Sequence, residues 1–273
     1  MIRIISLAVG AFFSLALLLA FGTGAVNYIS EPPAPSAEKV FHEHPKEAKF
    51  ASDGPFGHFD EAQLQRGFAV YQNVCAACHS ISQVAYRDLE KLGYNEAEVK
   101  AIAAKATINA KDPLSGEMKD RPGLPADKFP PVVYAGAGHP PDLSLITKAR
   151  HGGAAYVYSL LTGYTEQPAE LIKRFPDAKL KPDSGLHYNP YFANLNIAMT
   201  PPLASDDLVT YSDGTKATKD QMAKDVAAFL VWTAEPNLEK RHQVGFVWVL
   251  FMLFATVLGY MSYRNIWADK KGH

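Results

Sequence analysis

The sequence predicts a mainly α-helical domain with long loops, carried on one C-terminal membrane helix. Three observations predict it. Apolar residues recur at helical spacing behind two capping-type starts, at Asp60 and at Thr218. Stretches rich in Pro and Gly, from Pro113 to Pro141 and from Gly163 to Pro202, separate the helical segments. Gly245–Tyr263, GFVWVLFMLFATVLGYMSY, is a run of about 19 residues without a charge, enough to cross a bilayer as a helix. The 273 residues suit one large domain, or one domain plus extensions. A formal net charge of −1 argues against a nucleic-acid binder, which needs a basic excess.

Taken in order, residues 1–25 have the order of an export signal: Arg3, an apolar run from Ile4 to Phe21, then small residues. An uncleaved anchor is the alternative, because the apolar run is long and no clean Ala-x-Ala follows it. Residues 26–57 read as a linker or surface extension without apolar periodicity, and His42, His44 and His58 as solvated loop histidines. The domain proper is expected over 58–240. Asp60-Glu61-Ala62-Gln63 opens a helix whose stripe is Leu64, Phe68, Tyr71, Cys75 and Cys78. A second helix is expected from Glu96 to Ala104, and another over Asp142–Thr162, interrupted at Gly152-Gly153. Thr218-Lys219-Asp220-Gln221 starts a helix with Met222, Val226, Phe229 and Leu230 as its apolar stripe, and Pro236 bounds it. The anchor is expected over 241–266, with Trp248, Tyr260, Tyr263 and Trp267 as interface aromatics and 267–273 as a short basic tail. No internal repeat and no regular strand pattern is evident.

Chemistry concentrates in Cys75-Ala76-Ala77-Cys78-His79, which holds both cysteines of the chain. A thioredoxin-type pair wants a preceding strand, but the preceding segment reads as helix. Zinc wants two further ligands at metal spacing, and no second cysteine pair exists. A disulfide across three helical residues is strained. The remaining reading is covalent haem attachment, for which C-x-x-C-H is the signature. Two thiols on one helix face add to the haem vinyl groups, and His79 is held beneath the iron as an axial ligand.

The opposite axial ligand must come from elsewhere. Met252 and Met261 lie in the bilayer span, Met222 on a core stripe and Met118 among charges. Met199, in Ile197-Ala198-Met199-Thr200-Pro201-Pro202, sits in a loop stiffened by two prolines, with apolar neighbours to exclude water. Met199 is the choice; bis-histidine ligation through His139, His151 or His187 is the rival. A thioether favours ferrous iron and raises the potential, and two axial ligands close the iron to oxygen and peroxide.

The segments VCAACHSISQVAYRDL, RPGLPADKFP, PPDLSLITKARHGGAAYVYSLLTGY, NPYF, AMTPPL and DVAAFLVWTAEP together resemble the cytochrome c1 family, over about residues 60–268. The resemblance implies a cytochrome c-like helical haem domain binding one haem c. It implies Met199 as the axial methionine, Arg150 facing a haem propionate, and Tyr156, Leu160 and Phe192 lining the haem. It also implies that the Pro140-Pro141 stretch packs near His79, where a backbone carbonyl can hold the second ring nitrogen. It further implies a subunit of a quinol–cytochrome c reductase (cytochrome bc1) complex, dimeric, beside cytochrome b. The subunit would take electrons from the Rieske iron–sulfur protein and pass them to cytochrome c. The exported N-terminus puts the bulk of the chain outside and the short basic tail in the cytoplasm, so the haem domain is expected on the periplasmic side of a bacterial cytoplasmic membrane. Some bacterial relatives carry an extra disulfide near the haem, for which this chain has no cysteines left.

Two other functions use the same residues. A free-standing membrane-tethered c-type cytochrome shares the haem chemistry without stable partners. A haem enzyme or sensor needs an open iron position. Asp206 and Asp207, following the Met199 loop, are candidates for steering cytochrome c onto the domain.

Overall fold

The computed structural model describes all residues of the chain except Met1, Pro33, Pro113, Leu114, Ala137, Pro182, Asp183, Asp269 and 271–273. The first residue of the expected signal, the turn prolines Pro113 and Pro182, and most of the expected basic tail therefore lie outside the described residues. The chain divides into two units, residues 1–41 and 42–273. The first holds α1 (Ile2–Ser30) and the short α2 (Ala37–Phe41). α1 is apolar and solvent-exposed along its length, and is long enough to cross a membrane.

The second unit is built from α3 (Glu61–Val70), α4 (Glu96–Ala104), α5 (Ile146–Ala149), α6 (Gly153–Thr162), α7 (Ala169–Arg174), α8 (Lys219–Ala234) and α9 (Leu238–Trp267). Its strands form two antiparallel pairs. β1 (Thr107–Lys111) runs against β2 (Met118–Pro122), and β3 (His187–Tyr188) against β4 (Asn196–Ile197). The architecture is thus mainly helical, as the sequence predicts.

The core lies where α3 crosses α8. The sequence sets both starts: Asp60 accepts from the Gln63 N–H (3.2 Å), and Thr218 Oγ1 accepts from the Gln221 N–H (3.1 Å). Each replaces one hydrogen bond that the first turn lacks. Leu64 and Phe68 of α3 meet Met222, Val226 and Phe229 of α8, all nearly inaccessible to solvent. The crossing needs Gly67. A Cβ there would stand 2.1 Å from the Asp225 carbonyl oxygen, so only a glycine lets the backbones come this close. Beside it, the buried carboxylate of Asp225 takes Arg66 Nε (3.0 Å) and Gln221 Nε2 (2.9 Å), which compensates its loss of water.

The α3 pattern does not continue through the cysteines. After Val70 the backbone widens into one π-helical turn, Tyr71–Cys75. The wider turn re-aims the residues after Val70, as π-bulges do at functional sites. Tyr71 stays buried; Cys75 and Cys78 are half-buried. α4 has the expected bounds, with Asn95 and Glu98 forming a reciprocal capping box. The expected helix over Asp142–Thr162 is two helices, because Arg150 leaves helical geometry and Gly152 adopts φ +86°, where a side chain is disfavoured.

Residues 42–57 are more than a surface extension. Phe50 is buried in the core, and the Lys46 N–H donates to the buried Ser159 hydroxyl of α6 (2.8 Å). Lys46 Nζ reaches the Thr162 hydroxyl (2.8 Å). At the other end, α9 continues through the uncharged 245–263 run, whose large apolar side chains are exposed on all sides, while Leu238 at its start is buried. Thirty residues at 1.5 Å each give about 45 Å, against about 30 Å of bilayer hydrocarbon.

Candidate functional site

Cys75 ends the π turn, and its carbonyl accepts from both the Cys78 N–H (3.1 Å) and the His79 N–H (2.9 Å). The C-x-x-C-H segment therefore closes into one tight turn on the end of α3. The turn is tied to the core by Tyr71, whose buried hydroxyl donates to the His79 carbonyl (3.0 Å). Burial pushes the Cys75 thiol up to about 12, with the neighbouring Cys78 adding to the shift. Such a thiol is the reverse of the low-pKa nucleophile that a redox pair needs. Among the described residues, no three His, Cys, Asp or Glu side chains converge on a common metal position.

The His79 ring is oriented. Its Nδ1 lies 2.8 Å from the Pro141 carbonyl oxygen. A carbonyl can only accept, so Nδ1 carries the proton and Nε2 keeps its lone pair for a metal. Around this contact, residues 79–83 and 141–144 are laced together. The Asp142 carboxylate accepts from Ser80 Oγ (2.9 Å), the Ser82 N–H (2.9 Å) and the Ser144 N–H (2.8 Å). Ser144 Oγ accepts from the Gln83 N–H (3.0 Å), and the Leu143 N–H donates to the Ser80 carbonyl (2.8 Å). Burial alone would raise the Asp142 pKa, but the hydrogen bonds from Ser144 and Ser82 outweigh it and hold the carboxyl at about 2.

The other site residues stand on α5, α6 and the loops behind them. Arg150 is exposed at the end of α5, and its charge acts on the half-buried Tyr156, opposing the upward push of burial on that phenol. Among the described residues no carboxylate pairs with the Arg150 guanidinium. Tyr156 and Leu160 are one turn apart on α6, hence on the same face, and both are half-buried. The Leu160 carbonyl accepts from Asn189 Nδ2 (2.8 Å), and the Asn189 carbonyl from the Phe192 N–H (3.1 Å), which ties the half-buried Phe192 to α6. Met199 is half-buried in the bend after β4. Its carbonyl accepts from the Tyr164 hydroxyl (3.1 Å), just past the end of α6. Upstream, buried Leu195 holds φ +64°, a strained value for a non-glycine, pinned by its N–H to Phe192 and its carbonyl to Asn189.

The residues thus fall into two groups. Cys75, Cys78, His79 and Pro141 form one; Tyr156, Leu160, Phe192 and Met199 are gathered around α6. Of the rival axial histidines, His139 and His151 are exposed, and His187 sits on β3 with its ring edge-on to Tyr164 (6.4 Å). Asp206 is part of the α8 start, accepting from the Lys219 N–H (2.7 Å). Sequence reasoning did not find Asp142, Ser80, Ser144 or Tyr164. Asp142-Leu143-Ser144 behind two prolines is an Asx-turn pattern that marks the first of these locally. The residues present fit a haem c: paired thiols, an imidazole whose Nδ1 is engaged, a thioether, and a guanidinium without a carboxylate partner among the described residues.

A family model described as the Cytochrome C1 family matches residues 50–270. The chain is 44% identical over 264 residues to "Cytochrome c1 1, heme protein, mitochondrial" of Arabidopsis thaliana, covering 93% of this chain and 81% of that protein. It is 43% identical over 233 residues to "Cytochrome c1" of Rhodospirillum rubrum, covering 80% and 85%. It is 41% identical over 236 residues to "Cytochrome b-c1 complex catalytic subunit, mitochondrial" of Candida albicans, covering 83% and 76%.

Proposed function

Because the chain belongs to the cytochrome c1 family, we propose that it is the haem-bearing electron-transfer subunit of a cytochrome bc1 complex. In this reading Cys75 and Cys78 hold one haem c by thioether bonds, and His79 Nε2 and Met199 Sδ are its axial ligands. The haem supplies a one-electron couple. The chain's residues hold it, orient it and close its iron to small molecules, so that it carries electrons and does no substrate chemistry. The observation that carries the reading is the His79–Pro141 hydrogen bond directly behind the two thiols. It orients an imidazole for axial ligation within the segment that would anchor the porphyrin.

Arg150, free of any carboxylate among the described residues, pairs with a propionate in this account, and Tyr156, Leu160, Phe192 and Pro141 border the ring. In this reading residues 1–25 are an export signal, 26–57 a linker or extension whose later part, 42–57, packs onto the haem domain of 58–240, 241–266 the anchor and 267–273 the cytoplasmic tail. The haem domain then faces the periplasm of a bacterial cytoplasmic membrane. Cytochrome b is the membrane partner, which the printed name of the Candida albicans relative supports. The Rieske iron–sulfur protein is the electron donor, cytochrome c the acceptor, and the complex a dimer.

The test is gentle detergent extraction followed by a reduced-minus-oxidised spectrum of the purified material and identification of its subunits. The proposal expects c-type and b-type bands together, with cytochrome b and an iron–sulfur protein in the preparation. A c-type band on a chain that purifies alone would instead favour a free-standing tethered carrier.

A further inference from the structure

We propose that Asp142 is a positioning residue for the axial histidine, acting through the Pro141 carbonyl and tuning the redox potential. Its carboxylate bonds Ser80, Ser82 and Ser144 rather than His79 itself. It directly follows Pro141, whose carbonyl takes the His79 Nδ1 proton (2.8 Å). Its two carboxylate oxygens are spent on opposite jobs. Oδ1 closes the local turn onto the Ser144 N–H, and Oδ2 reaches across to Ser80 Oγ and the Ser82 N–H, in the segment that follows His79. Ser144, 1% exposed, completes the brace by accepting from the Gln83 N–H (3.0 Å). One carboxylate therefore fixes both the donor loop and the acceptor loop of the His79–Pro141 bond. Neither loop has regular secondary structure to do so.

The consequence is electronic. A short Nδ1–H···O=C bond raises the basicity of the ligating imidazole, and a more basic ligand favours ferric iron. Loosening the brace lengthens that bond and moves the couple upward. Loss of an outer partner of this kind typically changes metal affinity by about 10-fold or more. If that change falls on the ferric state alone, a tenfold effect is about 59 mV for one electron.

The inference rests on His79 being a haem ligand, and the experiment separates the two. Full-length chain is assayed in membranes by potentiometric titration of its c-type band and by the g values of the ferric low-spin electron paramagnetic resonance signal. The variants are Asp142→Ala, Asp142→Asn, Ser80→Ala and Ser144→Ala. The serine variants loosen the brace without changing charge. The expected result is an upward midpoint shift in all four, largest in Asp142→Ala at about tenfold in the couple, each with displaced g values. If Asp142→Ala does not accumulate haem-loaded protein, the two serine variants decide. Parental midpoints and g values in both serine variants would overturn the inference, whether or not Asp142→Asn moved, since the carboxylate would then act as a charge only. Failure of the underlying reading looks different: the unaltered chain itself would lack a low-spin c-type signal.

Discussion

On the His79 side, five hydrogen bonds tie residues 79–83 to 141–144, and a buried tyrosine holds the turn to the core. On the Met199 side, among the described residues, one tyrosine hydroxyl from beyond α6 reaches the Met199 carbonyl, in a loop that two prolines stiffen. In the proposed reading, the difference teaches how a chain holds its two axial ligands at unequal cost. The imidazole is oriented by a brace of hydrogen bonds made within the chain itself. Met199 follows β4, which is paired with β3, and the strained Leu195 lies just upstream. In that reading the sulfur side is therefore expected to yield first when the site is perturbed.

Four changes break or sharpen this contrast. The largest effect is expected from Met199→Leu, which in the proposed reading removes an axial thioether and opens the iron. The midpoint should fall by on the order of 0.1 V, within the about 0.8 V that axial ligands span. Reduced protein should then bind carbon monoxide, which the parent should exclude. A titration and carbon monoxide difference spectrum identical to the parent would remove Met199 from the site.

Next, Gly67→Ala tests whether both sides rest on one core. Its Cβ meets the Asp225 carbonyl, and forcing such an overlap costs roughly 1–3 kcal/mol. Thermal unfolding should come earlier, with loss of both ligands together. An unchanged melt would mean that the helix crossing is looser than described.

Tyr164→Phe is smaller and one-sided. It removes a hydrogen bond worth about 1 kcal/mol net. A minor carbon monoxide-binding fraction should appear with little change in the melting temperature. If the fraction appears equally in Ser80→Ala, the asymmetry between the two sides is wrong.

The smallest effect is on acid stability. The Asp142 carboxyl is held at about 2, below its ordinary 3.8. A depressed carboxylate stabilises the fold above the ordinary value, and that contribution fades as pH falls through 3.8 toward 2. Asp142→Asn should therefore flatten the pH dependence of unfolding in that window. A slope unchanged there would mean that the carboxylate is not held as described.

Much of this was legible in the sequence wherever the cause is local. Capping residues at Asp60 and Thr218 mark helix starts, and α4 keeps the bounds its pattern gives. The attachment motif is legible because its chemistry lies within five consecutive residues. The π turn at Tyr71–Cys75 was not, since the same apolar spacing reads as continued α-helix. The β1–β2 hairpin escaped because its strands are largely exposed and β2, MKDRP, shows no alternation. Residues 42–57 read as an extension because what anchors them, Ser159, is 113 positions away. The brace and the tyrosine latch fail for the same reason: Ser80 finds Asp142 across 62 positions, and Tyr164 finds Met199 across 35.

The central claim is that Cys75 and Cys78 bind the porphyrin covalently, with His79 beneath it. Acid–acetone extraction of the purified chain tests this most directly. The account predicts that the pigment stays with the polypeptide and still stains it for haem after denaturing electrophoresis. Pigment in the acetone phase, leaving a colourless chain, would contradict it.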